Sequence, residues 1–385
     1  MTRGLTDKFK VIAAIAVVGI HATSTAEANF MLQHDFLSLD FLGVLVNQVA
    51  RFSVPLFLYL SAYGLAKSEK NTDGALPAVY GNFLWKRLPT ILVPYFFFSG
   101  ISLALEFHSY TGTNAELVSS IMHKLRIGAA DYHLYFLVIL TQCYLLFPLL
   151  SRISRVYPGG YSVATWLVLL LVAGLLYKGS SEYLLPKLSL SHPGWHASFV
   201  IYWLPYFMLG ILHAQRPPFS ISVAQEIHNG QETNYSQLWK SIALGGSVAF
   251  TLACVVAEYV YYSRQSNPVD YYNHFSRPSV MLYALGVIWF LHSLTNGRGR
   301  LKSTPTVGEK LAPLTFSVYL IHPQVLRVLT NYAAGLPSVF LWLITVGLTF
   351  SLVYGLTLLT NKAAQKGPAW LAGPVQFLQR CLGLR

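Results

Sequence analysis

Apolar runs of about 20 residues, the length a helix needs to cross a bilayer, recur along this chain from residue 11 to residue 360. No water reaches the middle of a membrane, so each run must satisfy its own backbone polar groups, and a helix is the way a single segment does so. Ten such runs are predicted: 11–30, 41–64, 88–107, 133–151, 162–178, 197–214, 240–262, 278–295, 311–330 and 337–360. Composition agrees, with 54% apolar and 11% charged residues and a mean hydropathy of +0.47, far from an ordinary soluble domain. The expected fold is all-α and polytopic. Residues 1–361 form one membrane domain, and 362–385 form a cytoplasmic tail.

A net charge of +12 might suggest nucleic acid as a partner, but the cations sort by loop. Nineteen of the 27 Lys and Arg residues fall at the termini or in the loops after the second, fourth, sixth and eighth runs. By the positive-inside rule that face is cytoplasmic, and an even number of spans puts both termini there, in an inner membrane. The partners expected are membrane lipid and small molecules, with no nucleic acid; association between copies of the chain is left open. Cys143 and Cys254 fall in spans and Cys381 in the tail, so neither a disulfide framework nor a metal site is expected. In the tail, Leu371, Val375, Leu378 and Leu382 share one helical stripe, suited to the inner membrane surface or to packing on the bundle.

The first run, KFKVIAAIAVVGIHATSTAEANF at 8–30, has parts of a secretory leader: a basic start, an apolar stretch and small residues in TSTAEA. Its length and its internal histidine argue for a retained helix. Lys10 and His21 are eleven residues apart, about three turns, so they share one face roughly 16 Å apart. A lysine near a membrane edge can snorkel, but an ionisable group at the depth of His21 points to a bundle interior or a polar cavity. Arg51 sits roughly 19 Å above the inner edge and cannot discharge itself, so it must be paired, hydrated or in contact with a ligand. His322, before Pro323, lies roughly 17 Å up. It is either a reactive group or a partner for backbone atoms that the proline frees. Pro55 invites a kink in the second run, and Ser61, Ala62 and Gly64 suit close helix packing.

Toward the outer rim lie Glu106 and His108, then His133, then Trp195 and His196, which together could line a vestibule for a hydroxylated ligand. On the inner side Lys67, Lys70, Lys86 and Arg87 follow from topology, and would equally hold a polyphosphate. The chain has no Gly-rich phosphate loop, Walker motif or G-x-S-x-G turn, which argues against ATP hydrolysis and a serine-hydrolase mechanism.

The order of these motifs resembles the acyltransferase-3 family of membrane O-acyltransferases, in its stand-alone form. The matching positions are Lys10 and His21 with ten residues between them in the first helix, VPLFLYLSAYG in the second, Lys86, Arg87, Pro94 and Tyr95, then HLYFL, YFMLG and SVYLIHP. Two positions depart from the family pattern: Lys10 replaces an arginine, keeping the charge but not its bidentate geometry, and Ala62 replaces a glycine. The resemblance implies transfer of an acyl group, usually acetyl, from cytoplasmic acetyl-CoA or another acyl-CoA to a hydroxyl of a carbohydrate or glycolipid outside. It implies His21 as base, Arg51 stabilising the carbonyl oxygen, His322 and Tyr319 orienting the acceptor, and Lys10, Lys67, Lys86 and Arg87 near the donor. No metal is implied. The rival reading, a secondary transporter or flippase, predicts internal repeats and paired broken helices, and the sequence shows neither.

Overall fold

The computed structural model describes residues 3–33, 35–69, 76–108, 110–156, 198–215, 232–265, 275, 277–294, 306–333 and 335–384. It is all-helical, with no strand among the described residues. The first half comprises α1 (Arg3–Ala22), α2 (Ser24–Gln33), α3 (Leu39–Ala50), α4 (Ser53–Ser68), α5 (Leu76–Arg87), α6 (Pro89–Phe107), α7 (Asn114–Ile127) and α8 (Tyr135–Val156). The second comprises α9 (Leu204–Gln215), α10 (Glu232–Ser263), α11 (Pro278–Ser293), α12 (Val307–Leu311), α13 (Thr315–Tyr332), α14 (Ser338–Lys366) and α15 (Ala369–Cys381).

Among the described residues, five stretches are long and apolar enough to cross a membrane: Leu39–Ser68, Tyr80–Phe107, Tyr135–Arg155, Ile242–Ser263 and Ser338–Lys366. The ten expected are not all matched, for local reasons. The first half of α1 carries Arg3, Asp7, Lys8 and Lys10, and α9 and α11 have only 12 and 16 residues. The expected span at 162–178 lies outside the described residues.

Although the sequence shows no paired broken helices, two adjacent runs are each interrupted within their length. The first breaks at Thr23, whose hydroxyl donates to the Gly19 carbonyl at 2.7 Å. The Asn47 amide of α3 donates to the freed Ile20 carbonyl at 2.9 Å, so a polar side chain from the neighbour replaces the missing helical bond. The second run breaks between α3 and α4 at Arg51 and Phe52. Pro55 lacks the N–H that would have reached the Arg51 carbonyl, which ends α3 there. His21 and Arg51 therefore both sit at helix C-termini, where the helix dipole favours a cation.

The core gathers around α4, which packs on α9, α1 and α8. Tyr59, Leu56, Leu58, Trp203, Tyr206 and Phe207 are fully buried there. At Gly210 the two backbones of α4 and α9 nearly touch: a Cβ would lie 2.3 Å from the Tyr59 carbonyl oxygen and 2.8 Å from the Ala62 Cβ. The Tyr59 hydroxyl lies 3.0 Å from Nδ1 of both His213 and His292, tying α4 to α9 and α11. On the periphery, α10 and α14 expose Phe250, Tyr261, Leu343, Leu352 and Leu359, the outward apolar face of helices bordered by lipid tails. The last helix, α15, packs on α14 and α6. Val375 and Cys381 face inward, and Phe377 and Leu378 are exposed.

Candidate active site

Pro323 determines the chemistry of the residue before it. A proline at 323 cannot donate to the Tyr319 carbonyl four residues back. The His322 ring fills that vacancy, with Nδ1 2.7 Å from the Tyr319 oxygen. A carbonyl only accepts, so Nδ1 carries the hydrogen, and in the neutral ring Nε2 is left with the lone pair. That Nε2 is buried and has no hydrogen-bond partner among the described residues. The sequence offered two readings of His322, reactive group or partner for the freed carbonyl; the geometry shows the second, and it leaves Nε2 with a lone pair.

His21, at the end of α1, stacks on this ring with centroids 5.3 Å apart and planes 27° from parallel. Its other neighbour is Tyr132, at 4.6 Å. His133 completes the cluster, 5.6 Å from His322 and 5.4 Å from Tyr319. The Tyr319 hydroxyl donates to the His133 carbonyl. Thus α1, α13 and the turn before α8 each bring one histidine to a common point.

That turn is built around Asp131, which the sequence reading passed over. Its carboxylate, 1% exposed, is 2.7 Å from an Arg327 nitrogen on α13. It also accepts from the Ser102 hydroxyl of α6 at 3.0 Å and from the Tyr132 N–H at 2.9 Å, and it lies 3.8 Å from His133 Nδ1. Burial alone would raise this carboxyl, but the His133 imidazole, the Arg327 guanidinium and the Ser102 hydroxyl outweigh it and hold the group at about 2. The turn starts at Gly128, with φ of 75°, where a Cβ would come 2.5 Å from the Tyr135 Cα. Only glycine fits there.

Arg51 faces a second polar network. It donates to Asn47 Oδ1 at 2.5 Å and pairs with Glu27 of α2 at 3.4 Å. Glu27 also receives the Gln48 amide at 3.4 Å, and Gln48 in turn accepts from Arg277 at 2.7 Å. Of the fates open to a buried arginine, the structure supplies pairing, with a carboxylate hidden in TSTAEA. That signal was present in the sequence: an acid within an apolar stretch needs a cation.

Beneath the histidines is a cavity of about 1040 Å³, at the upper end of the usual size for small-molecule sites. Lys10, Lys67 and Arg87 line it together with Ser61 and Gly64, and its lining continues through Phe57, Leu60, Phe136 and Leu140 to Thr315 and Tyr319. The small residues of the second run therefore divide their work. Ala62 packs against Gly210, whereas a Cβ at Gly64 would meet no atom within 4 Å. Lys10 is held by Asp7 at 2.9 Å, and Arg87 by Glu69 at 3.1 Å. Lys86, grouped with these cations in the sequence, is exposed and does not line the cavity. Glu106 pairs with Lys124 of α7 and joins none of the contacts around His21. Trp195 and His196 lie outside the described residues. Among the described residues no group of three or more His, Cys, Asp or Glu side chains is arranged to hold a metal ion.

The family model for the acyltransferase-3 domain, described as an acyltransferase domain, matches residues 7–359, nearly the whole chain. The chain belongs to the acyltransferase-3 family. Within this acyltransferase domain the matched region takes in the histidine cluster and the cavity lining except Thr6, and leaves out α15. No curated protein and no solved structure matches the chain at a significant level.

Proposed function

We propose that this acyltransferase moves an acetyl group from cytoplasmic acetyl-CoA to a hydroxyl of a carbohydrate or glycolipid on the outer side of an inner membrane. The observation that carries the reading is the cavity, which is lined by Lys10, Lys67 and Arg87 and also by Tyr319, whose ring lies 6.0 Å from that of His322. Fixed cations suit the phosphates of CoA. The narrow pantetheine arm suits the apolar part of the lining, Phe57, Leu60, Phe136 and Leu140, which leads toward Tyr319. Lys86 is left to topology. The remaining organisation follows the charge pattern: ten crossings, both termini inside, and a domain ending near residue 361 followed by the tail.

In the transfer, the acceptor oxygen attacks the thioester carbonyl while its proton passes to an imidazole nitrogen. The C–S bond breaks, and the CoA sulfur leaves and recovers a proton. His21, half-buried beside Tyr132, is the group placed to meet an acceptor, and His322 Nε2 is the lone pair placed to assist it. General-base catalysis of this type contributes about 10²–10⁴ in rate. Arg51, held by Asn47 and Glu27, supplies a fixed positive charge for the oxygen on which negative charge develops.

The test is acetyl transfer by purified protein from radiolabelled acetyl-CoA, with and without acceptor. His21→Ala and His322→Ala are each expected to lose at least about 10² in rate. A folded His21→Ala protein with full transfer activity would refute the assignment. Wild type that moves a glycolipid across vesicles without consuming acetyl-CoA would favour transport, to which the paired helix breaks would also be suited.

A further inference from the structure

The mechanism above uses the cavity and the histidines but leaves unexplained why the turn before α8 displays an aromatic ring. Tyr132 is 45% exposed, yet its ring lies 4.6 Å from that of His21. Its backbone is anchored by buried side chains. The buried Asp131 carboxylate takes the Tyr132 N–H while bonding Ser102 on α6 and Arg327 on α13. The next residue's carbonyl receives the Tyr319 hydroxyl. Two helices, α6 and α13, thus fix the position of one open ring beside the proposed base. An aromatic that merely decorates a membrane interface needs neither the buried anchor nor the histidine contact.

We propose that Tyr132 is the stacking platform of the acceptor subsite and selects acceptors with a pyranose ring. One face of a pyranose carries axial C–H bonds, slightly positive and apolar, which suit the negative face of an aromatic ring. A sugar lying on Tyr132 would bring a ring hydroxyl to the edge of His21, and preorganisation of the turn means little ordering is required on binding. The half-exposed Arg327, held by Asp131 at 2.7 Å and by Gln324 at 3.0 Å, borders the same opening and offers donors to the sugar's other oxygens. This subsite rests on the acyl-transfer reading given above and names its acceptor-recognising residue.

The test measures acetyl transfer from acetyl-CoA to two probe acceptors, octyl β-glucopyranoside and glycerol, the second having hydroxyls but no ring face. Wild type is expected to favour the pyranoside. Tyr132→Leu should raise the pyranoside KM about tenfold, a loss of about 1.4 kcal/mol, and narrow the preference over glycerol. The KM for acetyl-CoA should stay within about twofold, because the variant alters acceptor binding alone. If the leucine variant does not fold, Tyr132→Phe and Tyr132→Trp decide: both keep the ring face and should keep the pyranoside preference. An unchanged pyranoside KM in Tyr132→Leu, loss of the preference in a folded Tyr132→Phe and Tyr132→Trp pair, or equal loss for both probes would overturn the assignment. Wild type that transfers to neither probe would instead remove the carbohydrate-acceptor reading itself, and this subsite with it.

Discussion

Gly64 and Gly210 are both glycines of membrane helices, and the structure predicts opposite outcomes for filling them. At Gly210 a Cβ would lie 2.3 Å from a backbone oxygen of Tyr59 and 2.8 Å from the Ala62 Cβ. Ordinary contacts begin near 3.4 Å, so α4 and α9 would have to separate by about 1 Å, in a core packed as densely as a crystal. Gly210→Ala should therefore cost about 1–3 kcal/mol, as overpacking does, even though alanine is the better helix former. At Gly64 the Cβ meets no atom within 4 Å and faces the cavity. Gly64→Ala should be neutral or stabilising by up to about 1 kcal/mol. Gly64→Leu, equally tolerated by the fold, would place four carbons in the path assigned to the donor and raise the acetyl-CoA KM about tenfold, the equivalent of 1.4 kcal/mol. Thermal unfolding in detergent reads the first effect, and donor-saturation kinetics the second. If Gly210→Ala unfolds at the wild-type temperature, the close approach of α4 and α9 is wrong. A folded Gly64→Leu protein with the wild-type acetyl-CoA KM would show that the donor does not use this cavity.

Two further substitutions separate stability from chemistry. Pro323→Ala restores an N–H that competes with His322 Nδ1 for the Tyr319 carbonyl. The helix should become more stable, by up to about 3 kcal/mol. Transfer should fall about fivefold as roughly 1 kcal/mol of tautomer control is lost; a faster enzyme in rate assays would contradict this. Arg51→Met leaves Glu27, 4% exposed, without its cation and should destabilise by about 3 kcal/mol. Adding Glu27→Met should recover most of that stability in thermal scans but none of the activity, since the charge near His21 remains absent.

How much of this was legible in the sequence depended on whether a signal was local. Helical class, the placement of Lys10 and His21 on one helix, and the gathering of Lys67 with Arg87 follow from periodicity and charge sorting, which a chain displays along its length. The stacking of His21 on His322 was foreshadowed only by their similar depth, because two residues some 300 positions apart carry no shared pattern. Asp131 was hidden for a different reason. A lone acid beside a membrane span reads as solvated, and only the folded chain reveals that Ser102, His133 and Arg327 surround it. The helix breaks were half visible, since Pro55 announced the second, while the first depends on Asn47 reaching across from α3. The Tyr59, His213 and His292 junction had no local mark at all.

Lys10 and His21 belong to one uninterrupted helix, the first lining the cavity and the second touching the histidine cluster. That makes α1 a ruler as well as a wall. Each residue inserted between them would turn His21 by about 100° away from His322 and lift it by 1.5 Å. The ten residues between could be exchanged for other apolar helix formers that fit the core, but their number could not change. What the first helix encodes is thus a distance and an angle, counted out in residues.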